Sequence, residues 1–191
     1  MLFRSPFEFN AAGLARTFQN IRLFGKSTVL DNVKMAHTRT TNYNYFNMLT
    51  RSGKFWEEEK RVEQESLELL DMFDLAGKKD FFATNLPYGE QRKLEIVRAL
   101  ATKPQILLLD EPAAGMNPNE IEDVVKLIKR IRNELGKAVL VIEHHMKLVM
   151  SISEQIKVLD FGVTIAEGSP EEIQKNPKVI EAYLGGGEKN A

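Results

Sequence analysis

The chain has 191 residues, of which 43% are hydrophobic and 28% are charged, and these values are typical of one soluble globular domain. Its 26 basic and 27 acidic residues leave a net charge of -1, so the sequence lacks the basic excess of a nucleic-acid-binding protein. It contains no cysteine, which excludes disulfides and thiolate metal sites.

The first informative segment is Ala15–Asn20, a short β-like run that ends in two amides, Gln19 and Asn20. From Asn20 to Ser27 the chain matches the phosphate-loop pattern G-x-x-x-x-G-K-S except at its first position. Bulky residues fill the interior, where a phosphate cradle needs small ones, and no buried strand precedes it. We therefore expect a loop whose apolar side chains contact a partner. Without the motifs further along the chain, Gln19 is predicted to be an ordinary amide side chain in a turn.

Residues 28–83 are predicted to be mainly helical. Thr28–Val33 begins one helix, Tyr43–Gly53 is irregular, and Trp56–Leu75 forms a long charged helix with one apolar face. That face carries Val62, Leu69, Leu70 and Phe73. Asn85 is expected to cap the next helix, which follows Tyr88.

The apolar run Ile106–Leu109, bounded by Pro104 and Pro112, predicts a strand buried on both faces of a parallel sheet. It ends in Asp110 and Glu111, at the sheet edge where α/β folds bind ligands. One carboxylate could hold Mg²⁺ while its neighbour polarises an attacking water. The motif is weak by itself, because many buried strands end in a solvated acidic pair.

Two further elements follow this strand. Asn117 and Glu120 form a capping box that opens an amphipathic helix. Ala138–Ile142 is predicted to be a second buried strand, and it ends in Glu143–His145. Because His37 is the one other histidine and there is no cysteine, the sequence alone does not favour a metal site here.

The last part of the chain predicts a hairpin and two short helices. Ile156–Asp160 and Val163–Ala166 read as its strands, and Ser169–Glu172 and Asn176–Pro177 open the helices. Residues 185–191 are predicted to be a flexible tail.

The segment Leu86–Leu100, followed by Asp110 and Glu111, resembles the ATP-binding cassette (ABC) ATPases, in which a signature loop and helix precede the Walker B strand. The form L-x-Y-G at Leu86–Gly89 is similar to the cassettes of branched-chain amino-acid uptake. The resemblance covers residues 13–185. It implies an α/β P-loop NTPase fold, a parallel sheet with a helical subdomain, without the amino-terminal β-subdomain and P-loop.

The resemblance also implies a division of the chain. The expected segments are a Q-loop segment (1–27), a helical subdomain (28–85), a part of the ATPase core with the signature, Walker B, D-loop and switch histidine (86–184), and the tail (185–191).

By the same resemblance, Asp110 would bind Mg²⁺ and Glu111 would be the general base. Gln19 is the Q-loop glutamine, which reaches both Mg²⁺ and the attacking water, and His144 is the switch histidine that contacts the γ-phosphate. His145 stands where the family usually has Asp.

The signature implies contact with ATP held by a second subunit. The residues assigned to it are Pro87, Tyr88, Gly89 and Glu90, together with Asn117 of the D-loop. Pro87 supplies no hydroxyl, Tyr88 replaces a glycine, and Asn117 replaces the usual Asp, so one phosphate hydrogen bond is in doubt.

The implied cofactors are ATP and Mg²⁺. The implied partners are a second ABC ATPase subunit in a homo- or heterodimer, transmembrane permease subunits and, indirectly, a periplasmic or extracellular solute-binding protein, with no nucleic acid. The longest apolar run, Ala138–Ile142, is too short to span a membrane. The resemblance implies a location at the cytoplasmic face of the plasma membrane, through the permease.

We expect the ATP-hydrolysing subunit of a branched-chain amino-acid importer, with the 191-residue chain inactive alone because it lacks a P-loop lysine. One alternative is a non-enzymatic interaction module or decayed cassette that pairs with a complete ATPase. The intact Glu111 and His144 favour descent from an active hydrolase. Another is a nucleic-acid-linked ABC ATPase, against which the neutral charge argues.

Overall fold

The computed structural model describes residues 5–39, 41 and 45–184, so the predicted tail lies outside the described part. The chain forms two compact units, Met1–Ile142 and Glu143–Ala191, and each is described by itself. Within the described ranges, no helix is both long and apolar enough to cross a membrane.

Among the described residues of the first unit there are three strands and six α-helices. The strands are β1 (Leu14–Arg16), β2 (Ile106–Asp110) and β3 (Ala138–Ile142). The helices are α1 (Pro6–Ala11), α2 (Val29–Ala36), α3 (Tyr45–Thr50), α4 (Gly53–Met72), α5 (Tyr88–Ala101) and α6 (Pro118–Asn133).

The three strands form a parallel sheet, as predicted, and their order is β1-β2-β3. The prediction that β2 and β3 are buried on both faces is wrong. Leu107 and Leu109 on one face are buried, but Ile106 and Leu140 on the other are 38% and 56% exposed. Successive strand residues point to opposite faces, so the helices of the described part cover only one side of the sheet.

Three helices of this unit, α2, α4 and α5, pack together. The predicted apolar face of α4 is confirmed in large part: Val62, Leu70 and the C-cap residue Phe73 are buried. Leu69, which was predicted on the same face, is only partly buried. The segment predicted as irregular instead contains α3, because Tyr45–Thr50 has no glycine or proline to stop a helix. Tyr43, which began that predicted segment, lies outside the described residues.

The expected cap at Asn85 is also wrong. Asn85 lies in a 3-10 turn, Ala83–Asn85, and α5 begins only at Tyr88, with Pro87 at the N-cap position. Asn85 therefore precedes the helix by too many residues to reach its first free N–H groups. The capping box at Asn117 and Glu120 is confirmed at the start of α6.

The second unit contains α7 (Met146–Ile152), β4 (Ile156–Asp160), β5 (Val163–Gly168), α8 (Pro170–Gln174) and α9 (Pro177–Leu184). The predicted hairpin is confirmed, since β4 and β5 pair antiparallel. The Ser169 capping box is confirmed as well, and the N–H and hydroxyl of Ser169 hold the pKa of Glu172 below its usual range. The core of this unit is Ile156, Ala166, Ile173 and Val179.

Candidate functional site

Two carboxylates stand at the carboxyl end of the central strand. Asp110 is the last residue of β2, and its Oδ2 accepts a hydrogen bond from Arg16 Nη2 at 2.7 Å. Glu111 follows in the left-handed region with φ of 44°, and its backbone N–H donates to the Ile142 carbonyl at 2.9 Å. That conformation is costly for a residue with a Cβ. The chain is thus held in a sharp turn at the point where the second carboxylate leaves the sheet.

Gln19 lies against this turn, although it is remote in sequence. Its Nε2 donates to Glu111 Oε2 at 2.7 Å. The contact depends on β1, because parallel pairing of β1 with β2 brings the segment after Arg16 to the same edge as Asp110. The structure therefore brings together Gln19 and Glu111, which the sequence analysis assigned to one site.

A buried ion pair on α5 binds the backbone of the loop that carries Gln19. Arg92 and Glu95 are almost completely buried, with their closest charged atoms 2.8 Å apart. The Arg92 guanidinium also donates to the backbone carbonyls of Phe18 and Gln19, and Glu95 Oε1 accepts from the Arg22 N–H at 3.3 Å. These two side chains therefore fix the backbone that carries Gln19.

This buried pair is not among the residues predicted from the sequence. Opposite charges three residues apart share one helix face, and in α5 they alternate with the buried Leu94 and Ile96. That pattern was the signal that could have shown Arg92 and Glu95 to be buried rather than solvated.

The start of α5 packs against the loop that leads into α6. A Cβ on Gly89 would lie 3.1 Å from Glu120 Oε1, and one on Gly115 would lie 3.7 Å from the Tyr88 ring. Gly89 thus allows the close approach of the two helix starts, and the Tyr88 ring covers the backbone of Gly115.

Two carboxylates at this helix start are already paired. Glu90 binds Lys78 at 2.6 Å, and Glu120 Oε2 accepts from the Asn117 N–H at 2.8 Å. A pocket lies here, and its lining includes Pro87, Gly89, Glu90, Lys93, Glu120 and Asp123. An anion at the α5 N-terminus would meet the free N–H groups of the helix but also these neighbouring carboxylates.

His144 belongs to the second unit, in the loop before α7. Glu143 Oε2 accepts from the N–H groups of His144 and His145 at 2.9 and 3.2 Å. The side chain of Glu143 is fully buried, whereas that of His144 is 62% exposed. Glu143 therefore shapes the loop, and the imidazole of His144 is presented at the surface of its unit.

Known proteins are similar to this chain in sequence and in fold. The sequence profile described as "ABC transporter" matches residues 6–114, more than half of the chain. The chain belongs to the ABC transporter ATPase family. A second profile, described as "Branched-chain amino acid ATP-binding cassette transporter", matches residues 163–189.

Curated relatives agree with this assignment. The high-affinity branched-chain amino acid transport ATP-binding protein BraF of Pseudomonas aeruginosa is 45% identical over 173 residues, which cover 91% of this chain and 68% of that protein. The corresponding protein LivG of Escherichia coli K12 is 43% identical over 177 residues, with the same coverage.

Solved structures show the same fold. The crystal structure of the ADP conformation of an ATP-binding cassette from an ABC transporter superposes with a TM-score of 0.76 at 30% identity, over 95% of this chain and 72% of that one. The predicted α/β ABC ATPase fold is therefore confirmed.

Proposed function

We propose that the chain is the ATP-hydrolysing subunit of an ABC importer for branched-chain amino acids. The observation that carries the proposal is the 2.7 Å hydrogen bond from Gln19 to Glu111, beside Asp110 at the carboxyl end of β2. The transported solute is taken from the printed names of BraF and LivG.

The donor set suits Mg²⁺, which prefers hard oxygen ligands such as those of Asp110 and Gln19. When bound, Mg²⁺ would neutralise charge on the ATP phosphates. Asp110 must exchange its bond to Arg16 for the ion, and the Arg16 side chain is 54% exposed, so solvent can take it up. Glu111 accepts the proton of the attacking water, Gln19 orients that water, and His144 contacts the γ-phosphate.

The start of α5 is proposed to complete the ATP site of a second ABC subunit. Its N-terminal N–H groups and Gly89 would face the phosphate. Pro87, Tyr88 and Glu90 would line the same contact with fewer hydrogen bonds than a hydroxyl and a second glycine would give. Asn117 would stand at the subunit boundary.

The assembly proposed for the chain follows from these assignments. Permease subunits would hold it at the cytoplasmic face of the plasma membrane, and a solute-binding protein would choose the amino acid. We propose the segment boundaries given above: Q-loop 1–27, helical subdomain 28–85, and core 86–184.

The test is to replace Glu111 by Gln in the gene of the source organism and to measure uptake of radiolabelled leucine. Loss of the general base should reduce uptake at least about 100-fold, with the protein still present at the membrane. Glu122→Gln, an exposed substitution on α6, is the matched control and should leave uptake unchanged.

Two outcomes would contradict the proposal, and they are distinguishable. Loss of uptake of another solute class with normal leucine uptake would overturn the solute and keep the ATPase. Normal uptake of all solutes in the Glu111→Gln strain would overturn the hydrolytic role. It would also favour the interaction module.

A further inference from the structure

Two of the three histidines in the chain are adjacent, and a carboxylate precedes them. We define Glu143, His144 and His145 as the EHH triad. It follows β3 and ends at the N-cap of α7. All three side chains carry atoms that bind transition metals, and all three belong to the second unit.

The ligand atoms of the EHH triad converge. Glu143 Oε2 lies 3.3 Å from His145 Nδ1 and 3.9 Å from His144 Nδ1. The two imidazole centroids are 4.7 Å apart, and one ligand atom from each residue lies within 4.8 Å of the other two.

The spacing of Glu143 and His145 matches that of two ligands on one tetrahedral ion. With zinc-ligand distances of about 2.0 to 2.1 Å, two ligands of a tetrahedral site lie about 3.3 Å apart. The spacing of Glu143 and His145 already has this value, and an ion there would replace the present hydrogen bond between Oε2 and Nδ1. His144, at 3.9 Å against 3.3 Å for His145, must approach by about 0.6 Å. The His144 side chain is 62% exposed, so solvent borders most of the ring that has to approach.

The carboxylate is built into the loop. The Glu143 side chain is completely buried, and its Oε2 accepts from the backbone N–H groups of both histidines. Such bonds fix the direction of a ligand before the ion arrives, as partners outside the ligand shell do in metal sites. The exposed histidine rings leave the ion a path from solvent.

We propose that the EHH triad binds one divalent transition-metal ion of the Zn²⁺, Co²⁺ or Ni²⁺ class. Two imidazoles and one carboxylate leave a fourth position for water, and imidazole ligands exclude Mg²⁺ as the preferred ion. The site stands independently of the proposed function. A consequence that rests on that function is that bound metal would withdraw His144 from the γ-phosphate.

The test uses the purified, tag-free 191-residue chain. Titration with Co²⁺ should give a visible absorption band that saturates at one ion per chain, and Zn²⁺ should displace it. In a parallel NMR titration, Zn²⁺ should move the imidazole signals of His144 and His145 and leave that of His37, which is buried in the first unit.

Variants locate the ion. His144→Ala, His145→Ala and Glu143→Gln should each weaken binding by roughly tenfold or more, because each removes one of three ligands. Glu171→Gln, which removes an exposed carboxylate of α8 in the same unit, should bind like wild type. Circular dichroism checks that each variant is folded.

The proposal fails if no stoichiometric band forms, or if binding survives in both histidine variants, which would mean an adventitious ion only. It also fails if one histidine alone carries the effect. The wild-type NMR titration decides the matter even if Glu143→Gln does not fold, because both imidazole signals must shift together. None of these results depends on ATP hydrolysis.

Discussion

Arg92 is the largest fully buried side chain in the described part of the chain. Replacing it with Met keeps the volume but leaves Glu95 buried without its partner and removes the donors to Phe18 and Gln19. Removing one member of a buried pair typically costs about 3 to 5 kcal/mol. Arg92→Met should therefore lower the free energy of unfolding by that amount in urea denaturation.

The matched control is Lys129→Met, the loss of an exposed cation on α6, which should change stability by less than about 0.5 kcal/mol. The double variant Arg92→Met/Glu95→Leu should recover part of the loss, since the buried anion is gone. A double variant as unstable as the sum of both single variants would show that the pair is not energetically coupled.

His37 is buried at the end of α2, and burial lowers the pKa of its imidazole. Lys103 and Arg61 lower that pKa further, while Glu65 and Glu58 oppose them. The unfolded chain, with a pKa of about 6.5, then binds the proton more readily than the folded chain. The stability from neutral His37 is complete above about pH 6.5 and is lost as the pH falls toward the lowered folded pKa.

We expect the urea midpoint of the wild-type chain to fall when the pH is lowered from about 7.5 to about 5.5. The fall should be smaller in His37→Gln, which cannot take up the proton. Above about pH 7 both proteins should follow the same pH profile, which serves as the control. Identical losses at low pH would assign the effect to other groups.

At the scale of elements, the exposed face of the sheet, which carries Ile106 and Leu140, determines how substitutions in the strands affect stability. Leu140 is 56% exposed on β3, whereas Leu109 on β2 is 1% exposed on the opposite face. The same substitution should therefore act differently: Leu109→Ala costs about 2 to 5 kcal/mol, and Leu140→Ala less than about 1 kcal/mol.

Leu140→Ala should also reduce aggregation, because an exposed apolar sheet face promotes association. Light scattering on heating, at equal protein concentration, measures this. Equal unfolding costs for both variants, or unchanged scattering for Leu140→Ala, would mean that this face is covered in solution.

The sequence predicts the helix caps correctly but not the burial of the sheet or the contacts between distant residues, for physical reasons. The caps at Asn117 and Ser169 are hydrogen bonds between residues close in sequence, so the sequence pattern predicts them. Burial of Ile106 and Leu140 depends on which elements cover each face of the sheet. An apolar run in the sequence does not predict which elements those are. The Arg92 and Glu95 pair required knowing that Phe18 and Gln19 lie beside α5, a contact across more than 70 residues.

At the candidate site, too, local sequence patterns could be predicted and contacts between distant residues could not. Asp110 and Glu111 could be predicted as site residues because they end an apolar strand. Gln19 could be predicted only through the family resemblance. The bond of Arg16 to Asp110 follows from the pairing of β1 with β2, which brings residues more than 90 positions apart together. Such a partner cannot be assigned before the strand order is known.

At the scale of the whole molecule, the balance of charge at the site governs what the 191-residue polypeptide can do alone. Asp110 and Glu111 repel the phosphates of ATP unless cations offset them, and in this family much of that role belongs to a P-loop lysine and backbone N–H groups. The segment Asn20–Ser27 crowds its interior with Ile21, Leu23 and Phe24. We therefore predict weak ATP binding and negligible turnover for this polypeptide.

Phosphate release and fluorescent-nucleotide titration of the purified polypeptide, with Mg²⁺, check this prediction. Turnover should equal that of Glu111→Gln, and Lys26→Ala should bind nucleotide as weakly as wild type, because Lys26 is not held in a phosphate cradle. Turnover abolished by Glu111→Gln would show that the Walker B pair and Gln19 suffice without such a cradle. Binding abolished by Lys26→Ala would instead make Asn20–Ser27 a phosphate loop despite its bulky interior.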